Sequence, residues 1–196
     1  MIRRGLPTIG ILFGVIGTPT LFAADFSSYR GLQFGMDLTA TTKQAGTKPT
    51  EARLVHQRPS TIQEMEGQPS PFFLPEPVKP DPVKEALLCF LDGQLFRIVV
   101  TYDRYKTQGM TADDIVEAIS LTYGAPTKPK ADISNYAEVA AVLARWQDSE
   151  YSSDLVRTGD GSSFAMILYS KRLDAVAQAA IVEAVRLEAG GAAART

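Results

Sequence analysis

Apolar residues recur in strand fashion most clearly over Leu87 to Leu91 and Leu95 to Tyr102. Asp92-Gly93 lies between them, and both residue types tolerate the positive φ that a two-residue hairpin turn requires. Period-two alternation puts Phe96, Ile98, Val100 and Tyr102 on one face of the second strand. Leu95, Arg97, Val99 and Thr101 then share the other face. A strand apolar on most of both faces is expected in the middle of a sheet. Glu51 to His56 and Thr61 to Glu66 read as two further strands, separated by Pro59-Ser60. Tyr151 to Arg157 and Ser163 to Ser170 form another hairpin, turning at Gly159-Asp160-Gly161. Asn135 to Leu143 reads two ways, Ala-rich like a helix and then β-like towards Val142, Ala144 and Trp146.

Three stretches change the period to that of a helix. Phe34-Gly35-Met36-Asp37 opens a short one that runs to Ala45 and stops at Gly46, with Asp37 or Thr39 as its cap. Thr111 to Tyr123 is better marked. Thr111 caps it, Asp113 and Asp114 sit in the first turn where the helix dipole favours negative charge, and Gly124 and Pro126 end it. Ile115, Ala118, Ile119 and Thr122 give that helix its inward stripe. The last helix spans Leu173 to Leu187, with Leu173, Val176, Ala177, Ala180, Ile181, Ala184 and Leu187 on one face. Residues 190–196 are expected to form a frayed tail.

The N-terminus has a different character. Arg3 and Arg4 precede an uncharged stretch from Gly5 to Phe22, centred on Ile9, Ile11, Leu12, Phe13, Val15 and Ile16. Small residues follow at Ala23-Ala24. Charge, apolar run and small residue in that order form a secretory signal, so residues 1–23 are expected to be cleaved and the mature chain to start near Ala24 in the periplasm or outside the cell. A retained membrane anchor is the competing reading, although the run is short for a span of about 20 residues. No later stretch is long and apolar enough to cross a membrane.

Composition narrows the class. Apolar residues make up 45% of the chain and charged residues 21%, as in ordinary globular domains. The formal net charge is −2, and the signal would remove two arginines and no acid. With no run of basic residues, a surface tracking nucleic-acid phosphates is not expected. Cys89 is the only cysteine, so the fold must stand without an internal disulfide even in an oxidising compartment. Ser70 to Pro82 carries prolines at 71, 75, 77, 80 and 82, which rules out a central strand or a helix and predicts an extended loop. Phe72, Phe73 and Leu74 within it would either tuck against the body or meet a partner.

The elements fall into two similar halves. Gly35-Met36, a helix, Gly46, strands and an Asp-Gly hairpin make up residues 34–105. Gly109-Met110, a helix, Gly124, strands and Asp160-Gly161 make up 109–188. The expected architecture is α+β: one domain over 24–189, an antiparallel sheet with helices on one face, two αβββ units in tandem and a C-terminal helix. The run Gly109-Met110-Thr111, the helix after it, Tyr123-Gly124-Ala125-Pro126 and the following strands resemble two exported groups. One is the outer-membrane assembly lipoproteins of the SmpA/BamE type, and the other is the β-lactamase inhibitor protein. The resemblance implies a binding or scaffold role rather than catalysis. The chain lacks the lipid-acceptor cysteine of the first group and the paired cysteines of the second, so no functional residue carries over.

Catalytic and metal motifs find little support. His56 is the only histidine and cannot build a His-rich metal site. Cys89, within a strand, reads as a small core residue. Gly-x-Ser-x-Gly is absent. Gly159-Asp160-Gly161 lacks the Lys-Ser/Thr ending of a phosphate loop. Asp113 and Asp114 point apart on a helix and are explained by capping. No catalytic residue, cofactor or metal is assigned. Thr101 to Lys106 is richer: Tyr102, Asp103, Arg104 and Tyr105 combine residue types that favour protein interfaces. Trp146 beside Arg145 reads as core. The leading expectation is therefore an exported protein-binding or scaffold module, holding another protein through Tyr102–Tyr105 or through Phe72, Phe73 and Leu74. A hydrolase using carboxylates such as Asp103 and Glu64 is one alternative. A small-molecule or lipid carrier is another, and the oligomeric state is left open.

Overall fold

The computed structural model describes residues 24–67, 82–127, 133–134, 140–158, 161 and 163–193. The expected signal, Phe72, Phe73 and Leu74, and Gly159-Asp160 lie outside the described residues.

One antiparallel sheet organises the chain. β3 (Arg53–His56), β4 (Ile62–Gly67), β5 (Val83–Leu91) and β6 (Gln94–Tyr102) form a meander running inward from one edge. β7 (Ile133–Ser134), β8 (Ala140–Gln147), β9 (Tyr151–Arg157) and β10 (Phe164–Ser170) form a second, running inward from the other. The two meanders join through their last strands, β6 against β10, with Val99 opposite Ile167 at the centre of the ladder. Before the first meander come a small hairpin, β1 (Ser28–Tyr29) with β2 (Leu32–Gln33), and helix α1 (Leu38–Ala45). Helix α2 (Ala112–Tyr123) precedes the second, and α3 (Lys171–Ala193) closes the chain.

The local chemistry matches the elements. Asp92 and Gly93 take φ of 48° and 78°, the positive pair that lets β5 turn straight into β6. Asp37 caps α1 by accepting from the Ala40 N–H at 2.9 Å. Thr111 and Asp114 make a reciprocal capping box at α2: the Asp114 carboxylate accepts from the Thr111 N–H at 2.6 Å, and the Asp114 N–H reaches Thr111 Oγ1 at 3.3 Å. Of the stretch that reads two ways, Ala140 to Leu143 belong to strand β8, and residues 135–139 lie outside the described residues.

The sheet carries different layers on its two faces. Met65, Leu88, Phe90, Leu95, Ile98, Val100, Leu155, Met166 and Leu168 build the core under α1 and α2, joined by Ile115 from α2 and by Trp146. Helix α3 packs on the opposite face, where Leu173 and Ala177 meet Ile62, Cys89, Leu91 and Phe96. The two leading helices thus share a face as expected, and the C-terminal helix takes the other. α3 follows β10 directly and continues to Ala193, into the stretch expected as a tail.

One facing assignment is corrected. Strict alternation along β6 groups Phe96 with Ile98 and Val100, yet Phe96 lies on the α3 side and Leu95 on the α1/α2 side. The cause is a register shift: Cys89 pairs with Arg97 and Phe90 with Leu95, so Phe96 is an extra residue in β6. The bulge lets Leu95 fill the main core while Phe96 and Arg97 both reach α3.

Candidate functional site

Beyond Tyr102 the chain leaves the sheet and turns before α2. Asp103 builds that turn. Its Oδ1 accepts from the N–H groups of Tyr105 at 2.8 Å and Lys106 at 3.3 Å. Its carbonyl accepts from the Thr107 N–H at 3.0 Å and from Thr107 Oγ1 at 2.9 Å. With the backbone tied down from both ends of Asp103, the side chains of Arg104 and Tyr105 are turned outward. Arg104 donates to the Tyr105 hydroxyl at 2.6 Å, and its guanidinium lies 4.6 Å from the Tyr105 ring centre. Tyr105 is nevertheless 71% exposed.

The second wall comes from the β9–β10 hairpin. The Arg157 guanidinium stacks over the Phe164 ring at 4.7 Å and makes a long contact, 3.4 Å, to the Gly161 carbonyl. Ser163 Oγ donates to the Tyr102 carbonyl at 2.6 Å and fixes the hairpin against the end of β6. Between the walls lies an open cleft of about 390 Å³. Arg104, Tyr105, Arg157 and Phe164 line its sides, and Thr107, Gln108, Gly109 and Met110 line its floor. Met110 is 38% exposed. Among the described residues two guanidiniums, two aromatic rings and a methionine face this space, and none of its lining side chains is a carboxylate.

Of the residues singled out in the sequence, Arg104 and Tyr105 line the cleft. Tyr102 and Asp103 support it instead: Tyr102 is half-buried with its hydroxyl 3.7 Å from Met166 Sδ, and Asp103 holds the turn. Thr107 to Met110, Arg157 and Phe164 were not singled out as site residues. Gly109-Met110 stood out only as a structural motif, and Arg157 comes from a hairpin some fifty positions away, so proximity was not visible along the chain.

The other candidates have structural occupations. Glu64 pairs with Arg53 across β3 and β4 at 2.9 Å, and Asp103 is bound up in its turn, so the two carboxylates are not brought together around a reacting group. His56 Nδ1 lies 3.0 Å from Glu188 Oε1 and ties β3 to the end of α3. Trp146 is 1% exposed and donates to the Gly124 carbonyl at 2.8 Å. Cys89 is buried under α3. Among the described residues no group of three or more His, Cys, Asp or Glu side chains is placed to hold a metal ion. No described helix is long and apolar enough to cross a membrane.

A row of buried charges crosses the α3 side of the sheet. Arg97 on β6 contacts Asp174 on α3, both nearly buried. On the neighbouring strands Arg145 forks onto Asp154, Nε to Oδ1 and Nη2 to Oδ2, each at 2.7 Å. Ser152 Oγ and the Tyr169 hydroxyl also approach Asp154, at 3.2 and 3.4 Å. Burial pushes the Asp174 carboxyl above its ordinary value, against the pull of Arg97, and burial pushes the Tyr169 phenol up. These pairs fix α3 and β8 to the sheet.

No family model, curated protein or solved structure matches the chain.

Proposed function

We propose that this is an exported protein-binding module and that the cleft between the β6–α2 turn and the β9–β10 hairpin is where it holds its partner. The observation that carries the reading is the cleft itself. It presents an exposed Tyr105, two arginines and Met110 on a rigid support, the residue types that anchor protein interfaces. Arg104 and Arg157 each lie over an aromatic ring and have no carboxylate partner among the described residues. Export rests on the signal pattern. It accords with Ala24, the expected first mature residue, already packing against the main core. A sheet layered with helices is the kind of scaffold the resemblance implies.

The test is site-specific photocrosslinking in the protein's own cells. A photoreactive residue at Tyr105 is expected to give one recurrent protein adduct. The same residue at Leu121, 87% exposed on α2, is expected to give none. Equal adducts at both positions, or none at Tyr105, would reject the cleft as the binding site. Cell fractionation with N-terminal sequencing tests export separately: an N-terminus at Ala24 in the exported fraction supports it, and an intact Met1 in the cytoplasm rejects it.

A further inference from the structure

The two halves of the molecule treat the same place differently. In the first half, the segment Phe34-Gly35-Met36-Asp37 lies along the β5–β6 hairpin before entering α1. Three main-chain hydrogen bonds hold it there: Gly35 N–H to the Leu95 carbonyl at 2.7 Å, Leu95 N–H to the Met36 carbonyl at 2.9 Å, and Leu38 N–H to the Gly93 carbonyl at 2.8 Å. In the second half, Gln108-Gly109-Met110-Thr111 enters α2 with the same motif, and Gly109 has φ of 83° where Gly35 has 86°. Yet among the described residues no main-chain hydrogen bond joins this segment to the β9–β10 hairpin. The Met110 N–H turns back to the Thr107 carbonyl. Ser163 exchanges its main-chain groups with Thr158 inside the hairpin, and its hydroxyl goes to Tyr102. Among the described residues, the place that three hydrogen bonds close in the first half has no such bonds in the second, and there lies the cleft.

We infer that the cleft takes an extended peptide segment bearing carboxylate side chains, laid between Gly109-Met110 and the β9–β10 hairpin. This rests on the protein-binding reading above and names the partner's chemistry. The first half shows that this architecture takes main-chain hydrogen bonds from a further segment at such a place, there supplied by the chain's own turn at Phe34-Gly35 and by the bridge of Asp37 to Gln94. Strand addition supplies main-chain bonds, and side-chain pockets supply the choice of partner. The charge argues for the class. Arg104 and Arg157 flank the cleft, no acidic residue lines it among the described residues, and the chain as a whole has a net charge of −2, so the basic site is local rather than part of a basic surface. Two guanidiniums across a cleft suit carboxylates, which each can grip through paired N–H donors. Tyr105, Met110 and Phe164 give the alternate side chains of the strand apolar ground.

The experiment uses the full chain and three fluorescein-labelled peptides of equal length, alternating Leu with Glu, with Gln or with Lys, followed by anisotropy. The Glu–Leu peptide is expected to bind, to weaken as salt is raised, and to lose about tenfold or more in affinity with Arg104→Glu and with Arg157→Glu. Arg172→Glu, exposed in the first turn of α3 just past the far end of β10, is expected to change nothing. Alternate N-methylation of the peptide backbone should abolish binding if the segment adds as a strand. Equal binding of all three peptides would overturn the acidic class and leave the binding-module reading standing. Failure of every peptide would overturn the inference, with the broader reading decided by the Tyr105 crosslink. Tighter binding of a single-stranded oligonucleotide than of the Glu–Leu peptide would overturn both.

Discussion

Asp174, in the first turn of α3, meets Arg97 of β6 where the helix crosses the centre of the sheet, and both side chains are nearly removed from solvent. Alternation opposite Ile98 and Val100 puts Arg97 on that side, and the extra residue at Phe96 turns a second, consecutive β6 side chain towards α3. A strand bulge and a buried ion pair therefore fasten the C-terminal helix to the junction of the two meanders.

The pair is asymmetric, which gives the first prediction. Burial, together with the nearby Asp154 charge, costs the Asp174 carboxylate more than Arg97 returns to it. Arg97→Met leaves that carboxylate buried without its counter-charge and is expected to lose about 3–5 kcal/mol. Arg97→Met together with Asp174→Leu removes both charges and should lose less than Arg97→Met alone. Urea unfolding followed by the emission of Trp146, the only tryptophan, reads both. A double variant as unstable as the single one would refute the account.

The same carboxyl sets a pH dependence of known sign. A raised pKa means the folded chain holds the Asp174 proton where the unfolded chain, near 3.8, has released it. Stability from this group is therefore complete below 3.8 and falls as pH rises through the folded value. Asp114 works the other way: its capping hydrogen bonds with Thr111 hold it below 3.8, so its contribution is present above 3.8 and lost on further acidification. In a pH series of urea midpoints, Asp174→Asn should remove the fall on the upper side of 3.8. Asp114→Asn should remove the loss below it. Unchanged profiles would mean that neither carboxyl titrates as its surroundings dictate.

Much of the fold was legible because its signals are local. Asp92-Gly93 and the Thr111 cap with Asp114 rest on a few neighbouring residues and form as the pattern requires, and the α3 stripe is buried at Leu173, Ala177, Ala180 and Ala184 but exposed at Val176 and Leu187. The facing of Phe96 was not legible, because a bulge depends on what the partner strand needs opposite it and not on the period of its own strand. The α3 side of the sheet was hidden for a similar reason: a helix with one apolar face does not say which layer it will cover. The cleft was half legible. Arg104 and Tyr105 stood out by residue type, whereas Arg157 and Phe164 enter only because β10 returns beside β6.

Trp146 gives a packing prediction. Its Nε1–H satisfies the Gly124 carbonyl at the end of α2, and its ring fills the core under that helix. Trp146→Phe removes the donor and the hydrogen bond to the Gly124 carbonyl, for a loss of about 0.5–1.5 kcal/mol. Faster amide exchange is expected in the last turn of α2 and not in α3. Uniform exchange across both helices would show that the indole serves the whole core rather than that one carbonyl.

Gly35 and Gly109 allow the two halves to be separated in one experiment. Both have φ in the left-handed region, and a Cβ built on either meets nothing within 4 Å, so a side chain would cost only backbone strain. Gly35→Ala and Gly109→Ala are each expected to lower stability by about 1–2 kcal/mol. Their effects on binding should differ. Gly35 is tied to Leu95 in a place the chain has filled for itself, at the opposite end of β6 from the cleft. Gly109 lies in the floor of the open cleft and sets the direction of Met110. Gly109→Ala should therefore weaken capture of the Glu–Leu peptide severalfold, and Gly35→Ala should leave it unchanged at a temperature where both remain folded. Asparagine tolerates positive φ, so Gly109→Asn should restore much of the loss. Equal weakening by the two alanine variants would mean that binding follows overall stability and that the cleft is not the site.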